Sequence, residues 1–201
     1  FFGVDAFRYY FLRSIPFGTD GSFSWEDMVA RYTSELANDF GNLASRSIAM
    51  IEKYCEGKIP QPATEPKLAA AAQKACEVAD ERICALDFQG GILAILDFCK
   101  VVNGYVTEQA PWVLAKDPAN KVELEKVLYT TVESLRILAV LFHPVMPETS
   151  EKLWEALGAK VLGPIGEQKI SEVATWGQLP AGVQVSRGEV LFPRLPEPEN
   201  A

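Results

Sequence analysis

The sequence has 201 residues, of which 48% are hydrophobic and 23% charged, as in ordinary soluble globular proteins. Its net charge of −8 excludes a broad electropositive surface, so any nucleic-acid contact has to be local. No apolar run approaches the ~20 residues of a membrane span, and we predict no membrane partner. The four cysteines form no Cys-x-x-Cys pair, which predicts reduced thiols in a cytoplasmic protein and no metal site. The chain starts without Met or a signal sequence, and we expect it to be the inner part of a longer protein.

The first half of the chain has helical periodicity interrupted by proline and glycine. We predict a helix over residues 4–15 that Pro16 ends, and then a loop to residue 23. Ser24 is a candidate N-cap for a long helical stretch that reaches Cys55, with a break expected near Thr33.

The second half continues this pattern. We predict a helix over residues 67–87 and another that begins at Ile92 and ends at Ala110-Pro111-Trp112. A third runs from Leu124 to Phe142 and is ended by Pro144, and a fourth covers residues 148–157, with Gly158 as its C-terminal cap. Short connectors favour antiparallel neighbours, so we predict an all-α antiparallel helix bundle. Residues 159–201 should form an irregular tail with short β pieces, such as 182–192. We divide the chain into a linker (1–23), a helical domain (24–158) and this tail.

The sequence contains no constellation of catalytic residues. His143 is its one histidine, which excludes a site with two imidazoles, and its place before Pro144 is typical of a helix end. Phosphate-binding glycine loops and nucleophile elbows are also absent from the sequence. We therefore predict that this segment alone has no catalytic residue.

Two mid-helix asparagines share a stripe with an arginine. Asn38, Asn42 and Arg46 are spaced at i, i+4 and i+8, about 120° from the centre of the apolar face. Asparagine is a poor helix former, so its presence there needs a reason. Asparagine and arginine suit the edges of unstacked bases. The alternative is that they brace neighbouring loops through backbone hydrogen bonds.

A second candidate site lies around Asn103 and the segment Gln109-Ala110-Pro111-Trp112. Because proline fixes its own φ, Trp112 should be held stiffly, and an exposed indole there would be a stacking platform for a base. The alternative is a Trp112 buried under the next helix. Near the start of the chain, Asp5 and Arg8 have the spacing of a local ion pair.

These segments together resemble one family, the methionyl-tRNA synthetases of class I. Residues 3–10 (GVDAFRYY) resemble the segment after the catalytic Lys-Met-Ser-Lys-Ser loop of class I synthetases, and residues 16–23 resemble its methionine-specific continuation. Asn38 with residues 42–46 (NLASR) is similar to the family's anticodon-reading helix, and residues 109–112 (QAPW) to its second anticodon element. The segment 143–147 (HPVMP) matches another family segment, and the likeness covers residues 3–157.

The resemblance implies a class I anticodon-binding fold and a function. Trp112 would stack on the first anticodon base, Asn42 and Arg46 would bind anticodon bases, and Asn38 and Asn103 would support them. The implied partners are the CAU anticodon stem-loop of tRNA(Met) and the catalytic domain of the same protein. Methionine would be attached to tRNA through methionyl-adenylate, with ATP, magnesium and any zinc held upstream of this segment. Thr107 stands where some members carry an acid, so discrimination by a carboxylate is in doubt there.

Two other functions compete with this one. The chain could be the equivalent domain of a synthetase for valine, isoleucine, leucine or cysteine, although residues 42–46 and 110–112 do not suit those families. It could also be a helical interaction module, which would bind no RNA and would expose an apolar patch.

Overall fold

A computed structural model describes residues 2–195 of the chain as a helix bundle. Its α-helices are α1 (Gly3–Ser14), α2 (Trp25–Arg31), α3 (Asn42–Tyr54), α4 (Pro66–Cys84), α5 (Phe88–Gln109), α6 (Pro111–Leu114), α7 (Lys121–Phe142), α8 (Pro147–Ala156) and α9 (Ile170–Val173). A π-helical segment, Tyr32–Gly41, joins α2 to α3. The predicted all-α bundle is confirmed, and the predicted helix ends agree to within a few residues.

Helix α7 forms the centre of the bundle. Every side chain from Val127 to Phe142 is buried, because α3, α4, α5, α6, α8 and α9 all contact this helix. A short connector joins α4 to α5, and the two helices pack along each other as an antiparallel pair. The core is thus continuous from one side of α7 to the other.

The segment Phe88–Leu114 is long and apolar enough to cross a membrane by length and composition. Its apolar side chains, however, include Ile92, Ile95, Leu96, Val102 and Val106, all of which lie in the core of the bundle. Core helices of soluble proteins have these same properties, so the segment is weak support for a membrane span.

Helix α1 is attached to the corner between α7 and α8. Asp5 accepts a 2.6 Å hydrogen bond from the backbone amide of Thr149, in the first turn of α8. Arg8 donates to the carbonyl oxygens of Val145 at 2.9 Å and Pro144 at 2.8 Å. The predicted Asp5–Arg8 ion pair is therefore wrong. Each residue instead satisfies backbone groups at a helix end, where hydrogen-bond partners are lacking.

The helical stretch from α2 to α3 has no break at Thr33. Ser24 caps α2 as predicted, with its hydroxyl accepting from the amide of Asp27 at 3.2 Å. The chain then widens into the π-helical turns of Tyr32–Gly41 and narrows again at Asn42. The π-helix is rare and occurs mostly as single turns inside α-helices, frequently at functional sites.

The tail lies across the bundle and is fastened by a buried ion pair. Glu133 accepts from the backbone amides of residues 177, 178 and 179, and from Arg136 at 2.8 Å. Arg136 also donates to the carbonyl oxygens of Val173 and Thr175. The short β pieces predicted in the tail are not confirmed. Within residues 2–195 the tail forms one isolated antiparallel bridge, between Gln184 and Lys58, besides helical turns.

Candidate nucleic-acid interface

The structure brings Arg46 and Asn103 together across two helices. Nη2 of Arg46, on α3, donates to Oδ1 of Asn103, on α5, at 3.1 Å. Nδ2 of Asn103 donates to the carbonyl oxygens of Asp39 and Cys99, both at 3.2 Å. Since guanidinium groups only donate and carbonyls only accept, these partners fix the orientation of the Asn103 amide. Asn103 thereby connects α5, the π-helical segment and the Arg46 side chain.

Arg46 is a half-buried cation without an acidic partner. Within residues 2–195 no carboxylate oxygen lies within salt-bridge distance of its guanidinium, and its buried Nε has no hydrogen-bond partner. Burial lowers the pKa of Arg46, but an arginine still carries its charge at neutral pH. Since Nε is buried, the donors that an acceptor from outside the chain can reach are those of the terminal Nη groups.

Asn38 and Asn42 are both exposed, one near the end of the π-helical segment and one at the start of α3. Neither side chain forms a hydrogen bond within the part of the chain that the structure describes. Asn38 and Asn42 thus do not brace neighbouring loops through backbone hydrogen bonds, which was the alternative for these two residues. Their amide groups are free to meet solvent or a ligand.

Trp112 is 42% exposed and lies in α6, just after the end of α5. The preceding Ala110 has a left-handed backbone, with φ 43° and ψ 61°, which turns the chain sharply between α5 and α6. Pro111 is buried at the first position of α6, and the amide of Val113 bonds to the carbonyl of Ala110 at 2.7 Å. Because a left-handed alanine costs roughly 1–2 kcal/mol, the surrounding contacts have to hold this turn. The indole is consequently presented on a rigid turn, and the alternative of a buried Trp112 is excluded.

Two neighbouring groups set the electrostatics of the interface. Burial raises the pKa of the Asp39 carboxyl, while Lys100 acts in the opposite direction. Thr107 donates its hydroxyl to the carbonyl of Asn103 at 2.9 Å, which adds no charge. Arg46 and Lys100 are thus the basic groups beside Asn103 and Asp39.

Sequence reasoning missed the contribution of the tail to this surface. Arg194 and Leu195 line a groove of about 390 Å³ together with Asn38, Tyr32, Thr33 and Ala37. It also missed the backbone carbonyl of Asp39 as the group that orients Asn103. A π-helical turn has no residue signature comparable to a cap, and the sequence offered no signal for either feature.

Two family models match the chain. Residues 1–48 match "tRNA synthetases class I (M)", and residues 57–201 match "Anticodon binding domain of methionyl tRNA ligase". Asn38, Asn42 and Arg46 lie in the first range, and Asn103 and Trp112 in the second. The division of the chain at residues 23 and 158 stays a prediction.

Relatives named methionine–tRNA ligase align along nearly the whole chain. The Streptomyces coelicolor protein is 56% identical over 98% of this chain and 38% of its own length. The Bacillus subtilis protein is 40% identical over 96% of this chain and 29% of its own. The chain thus spans well under half of each relative.

Solved structures agree with these matches. The free form of Mycobacterium tuberculosis methionyl-tRNA synthetase superposes with a TM-score of 0.87 at 34% identity, covering 98% of this chain and 40% of that one. The form bound by methionyl-adenylate gives a TM-score of 0.85 at 34% identity, covering 96% and 38%. The chain belongs to the family of anticodon-binding domains of methionyl-tRNA ligase.

Proposed function

We propose that this chain reads the CAU anticodon of tRNA(Met) for a methionine–tRNA ligase that charges its tRNA with methionine using ATP. One observation carries the proposal. Arg46 is a half-buried cation that has no carboxylate partner within residues 2–195 and is held in place by Asn103. Exposed Asn42 and Asn38 precede it on the same continuous helical stretch.

Each side chain has a role that its chemistry allows. Trp112 stacks on the first anticodon base, the cytosine, as exposed aromatic rings do with single-stranded bases. Asn42 and Arg46 bond to base edges, since an amide offers a donor and an acceptor and a guanidinium offers a fork of donors. Asn38 lies at the rim of the site, and Asn103 acts mainly by orienting Arg46.

The charge of the chain limits how tightly it binds alone. A net charge of −8 repels phosphates at long range, so few counterions are released and the contact depends on a few bases. We expect weak binding that decreases further as salt is raised, although with a smaller slope than a basic RNA-binding protein shows. Tight binding that ignores salt would contradict this expectation.

The test compares two arginines that change the net charge equally. Binding of the CAU stem-loop is measured for the wild type and for Asn42→Ala, Arg46→Ala and Arg82→Ala. Arg82, in the last turn of α4, forms an exposed pair with Asp87 at the start of α5, and such pairs contribute little to stability. The proposal predicts that the first two variants lose roughly tenfold or more in affinity, about 1.4 kcal/mol, while Arg82→Ala binds normally. Equal losses for both arginine variants would mean that charge alone attracts the RNA.

The catalytic domain of the same protein is the second partner that we propose. The rings of Phe7, Phe11, Phe23 and Trp25 form an apolar patch at α1 and the start of α2, with neighbouring centroids 4.7–6.5 Å apart, and each residue is at least 37% exposed. This patch lies within the range that matches the class I synthetase model. Since patches of this kind mark protein interfaces, we assign it to the preceding domain.

The patch proposal is tested with Trp25→Glu. The substitution should lower the unfolding temperature of this chain only modestly, because Trp25 is 56% exposed and loses contacts with the Phe2, Phe7 and Phe23 rings, yet it should slow methionine charging by the intact protein. Normal charging would show that the patch has another role. The helical-module alternative also has an exposed apolar patch, but it predicts no RNA binding by the chain.

ATP and magnesium belong, in this proposal, to the part of the ligase outside this chain. The described residues hold no group of three or more His, Cys, Asp or Glu that could bind a metal ion, so we assign no such site to them. The cysteines are free thiols, which supports a cytoplasmic location.

A further inference from the structure

The C-terminal tail packs directly on the π-helical segment. The Phe192 ring is buried, with its centroid 5.9 Å from Tyr32 and 6.3 Å from Phe40. The Tyr32 hydroxyl donates to the carbonyl oxygen of Pro193 at 2.8 Å. Residues more than 150 positions apart are therefore joined at the helix that carries Asn38.

Gly41 lies against the Phe192 ring of the tail. It is the last π-helical residue, directly before Asn42. A Cβ atom at Gly41 would lie 3.2 Å from the Phe192 ring and 3.1 Å from the carbonyl oxygen of Leu36. Both distances are shorter than ordinary carbon contacts of about 3.5–4.0 Å. The Phe192 ring thus rests against the backbone where the π-helix becomes an α-helix.

The tail also forms one wall of the groove beside Asn38. Arg194 and Leu195 face Asn38 and Ala37 across this groove of about 390 Å³. Successive residues of an α-helix are rotated by about 100° around the helix axis. If the π-helical turns became α-helical, this rotation would accumulate differently, and Asn38 would point in another direction relative to Asn42. A rare helix geometry needs outside support, and the buried Phe192 supplies contacts at the point where it ends.

We infer that Phe192 is a positioning residue for anticodon reading, because it holds the π-helical segment that sets Asn38 and Asn42 relative to each other. The inference rests on the proposed function. It assigns to the tail a role in base discrimination without direct contact between Phe192 and RNA.

The experiment compares two truncations in the tail. Phe192→Ala removes the ring at Gly41. Val185→Ala is the matched control, because Val185 is equally buried but bonds to Gly57, beyond the other end of α3 and about 20 Å away along that helix. Phe192→Leu keeps an apolar side chain.

For each variant, affinities are measured for stem-loops with CAU and with a changed third base, together with the unfolding midpoint and hydrogen exchange of the amides in residues 36–43.

The expected result is specific to Phe192. Phe192→Ala should lower the ratio of the two affinities by roughly fivefold or more, the size of one weakened base contact, and speed exchange in residues 36–43. Val185→Ala should lower the unfolding midpoint but keep the ratio, and Phe192→Leu should keep most of it.

An unchanged ratio in a folded Phe192→Ala protein overturns the inference, as does an equal loss in Val185→Ala. If Phe192→Ala does not fold, Tyr32→Phe decides, since it removes the Pro193 bond alone and should speed the same exchange. A wild type with no preference for CAU would instead overturn the proposed function.

Discussion

The buried pair of Glu133 and Arg136 gives the sharpest prediction of stability. Both side chains are fully buried in α7. Glu133 accepts from the amides of Gly177, Gln178 and Leu179 at 3.0–3.1 Å, besides the guanidinium. Glu133→Ala removes all of these acceptors together. Arg136 is then left as a buried charge, and the chain around residue 178 loses its attachment to the bundle.

The magnitude follows from the loss of one partner. Removing one partner of a buried ion pair lowers the free energy of unfolding by about 3–5 kcal/mol. We expect a loss near the upper end of this range, because the backbone amides of residues 177–179 also lose their acceptor. Since small proteins are stable by about 5–15 kcal/mol, Glu133→Ala should lose a large share of the free energy of unfolding at 25 °C. Urea unfolding followed by circular dichroism measures this loss, with Glu133→Gln as the variant that conserves shape.

The double variant Glu133→Ala with Arg136→Leu separates the charge from the backbone contacts. Its loss in the free energy of unfolding should be smaller than the sum of the losses in the two single variants by about 0.5–3 kcal/mol, because no buried charge is left without a partner. A loss below about 1 kcal/mol for Glu133→Ala, or strict additivity, would refute the reasoning.

Three further predictions concern single side chains. Asp5→Ala should destabilise the chain by about 1–2 kcal/mol in thermal unfolding, since the first turn of α8 loses its buried acceptor, and an unchanged midpoint would contradict this. Burial raises the pKa of Cys99 to about 12, so roughly one thiol in ten thousand is ionised at pH 8. Exposed Cys84 should therefore be alkylated long before Cys99 when labelling is followed by mass spectrometry, and equal rates would contradict the buried position. Burial also raises the pKa of Tyr9 and Tyr129 well above the usual 10. Because only the unfolded chain ionises them near pH 10, stability should be full below that pH and fall as the pH rises above it, and a flat unfolding midpoint between pH 9 and pH 11.5 would exclude the effect.

Much of the bundle could be predicted because the residues that begin, end and pattern each helix are close together in the sequence. Proline and glycine mark helix ends wherever they occur, and the periodicity from Leu124 to Phe142 identified the central helix. The capping role of Ser24 follows from three neighbouring residues. The exposure of Trp112 followed from the resemblance to the family, because the restricted backbone at Pro111 is compatible with an exposed and with a buried indole.

The remaining features depend on residues far apart in the sequence. The π-helical turns depend on tertiary contacts, such as those of Phe192, and helical periodicity counted at 100° per residue does not reveal them. Asp5 and Arg8 have the spacing of a local pair, yet the backbone groups at the α7–α8 corner are better partners for both. Alternation in residues 182–192 suggested β-strands, but the backbone of residues 182–186 bonds to residues 57, 59 and 156 and forms a single bridge.

The most direct test of anticodon reading is the affinity of this chain for two RNA stem-loops, one with the anticodon CAU and one with its first base changed to G. The comparison is made for the wild type, Trp112→Ala and Trp112→Phe. The account predicts a preference for CAU that Trp112→Ala abolishes and Trp112→Phe partly keeps, because stacking on an exposed ring contributes about 1–3 kcal/mol. Equal binding of both stem-loops by the wild type, or a preference unchanged in Trp112→Ala, would contradict it.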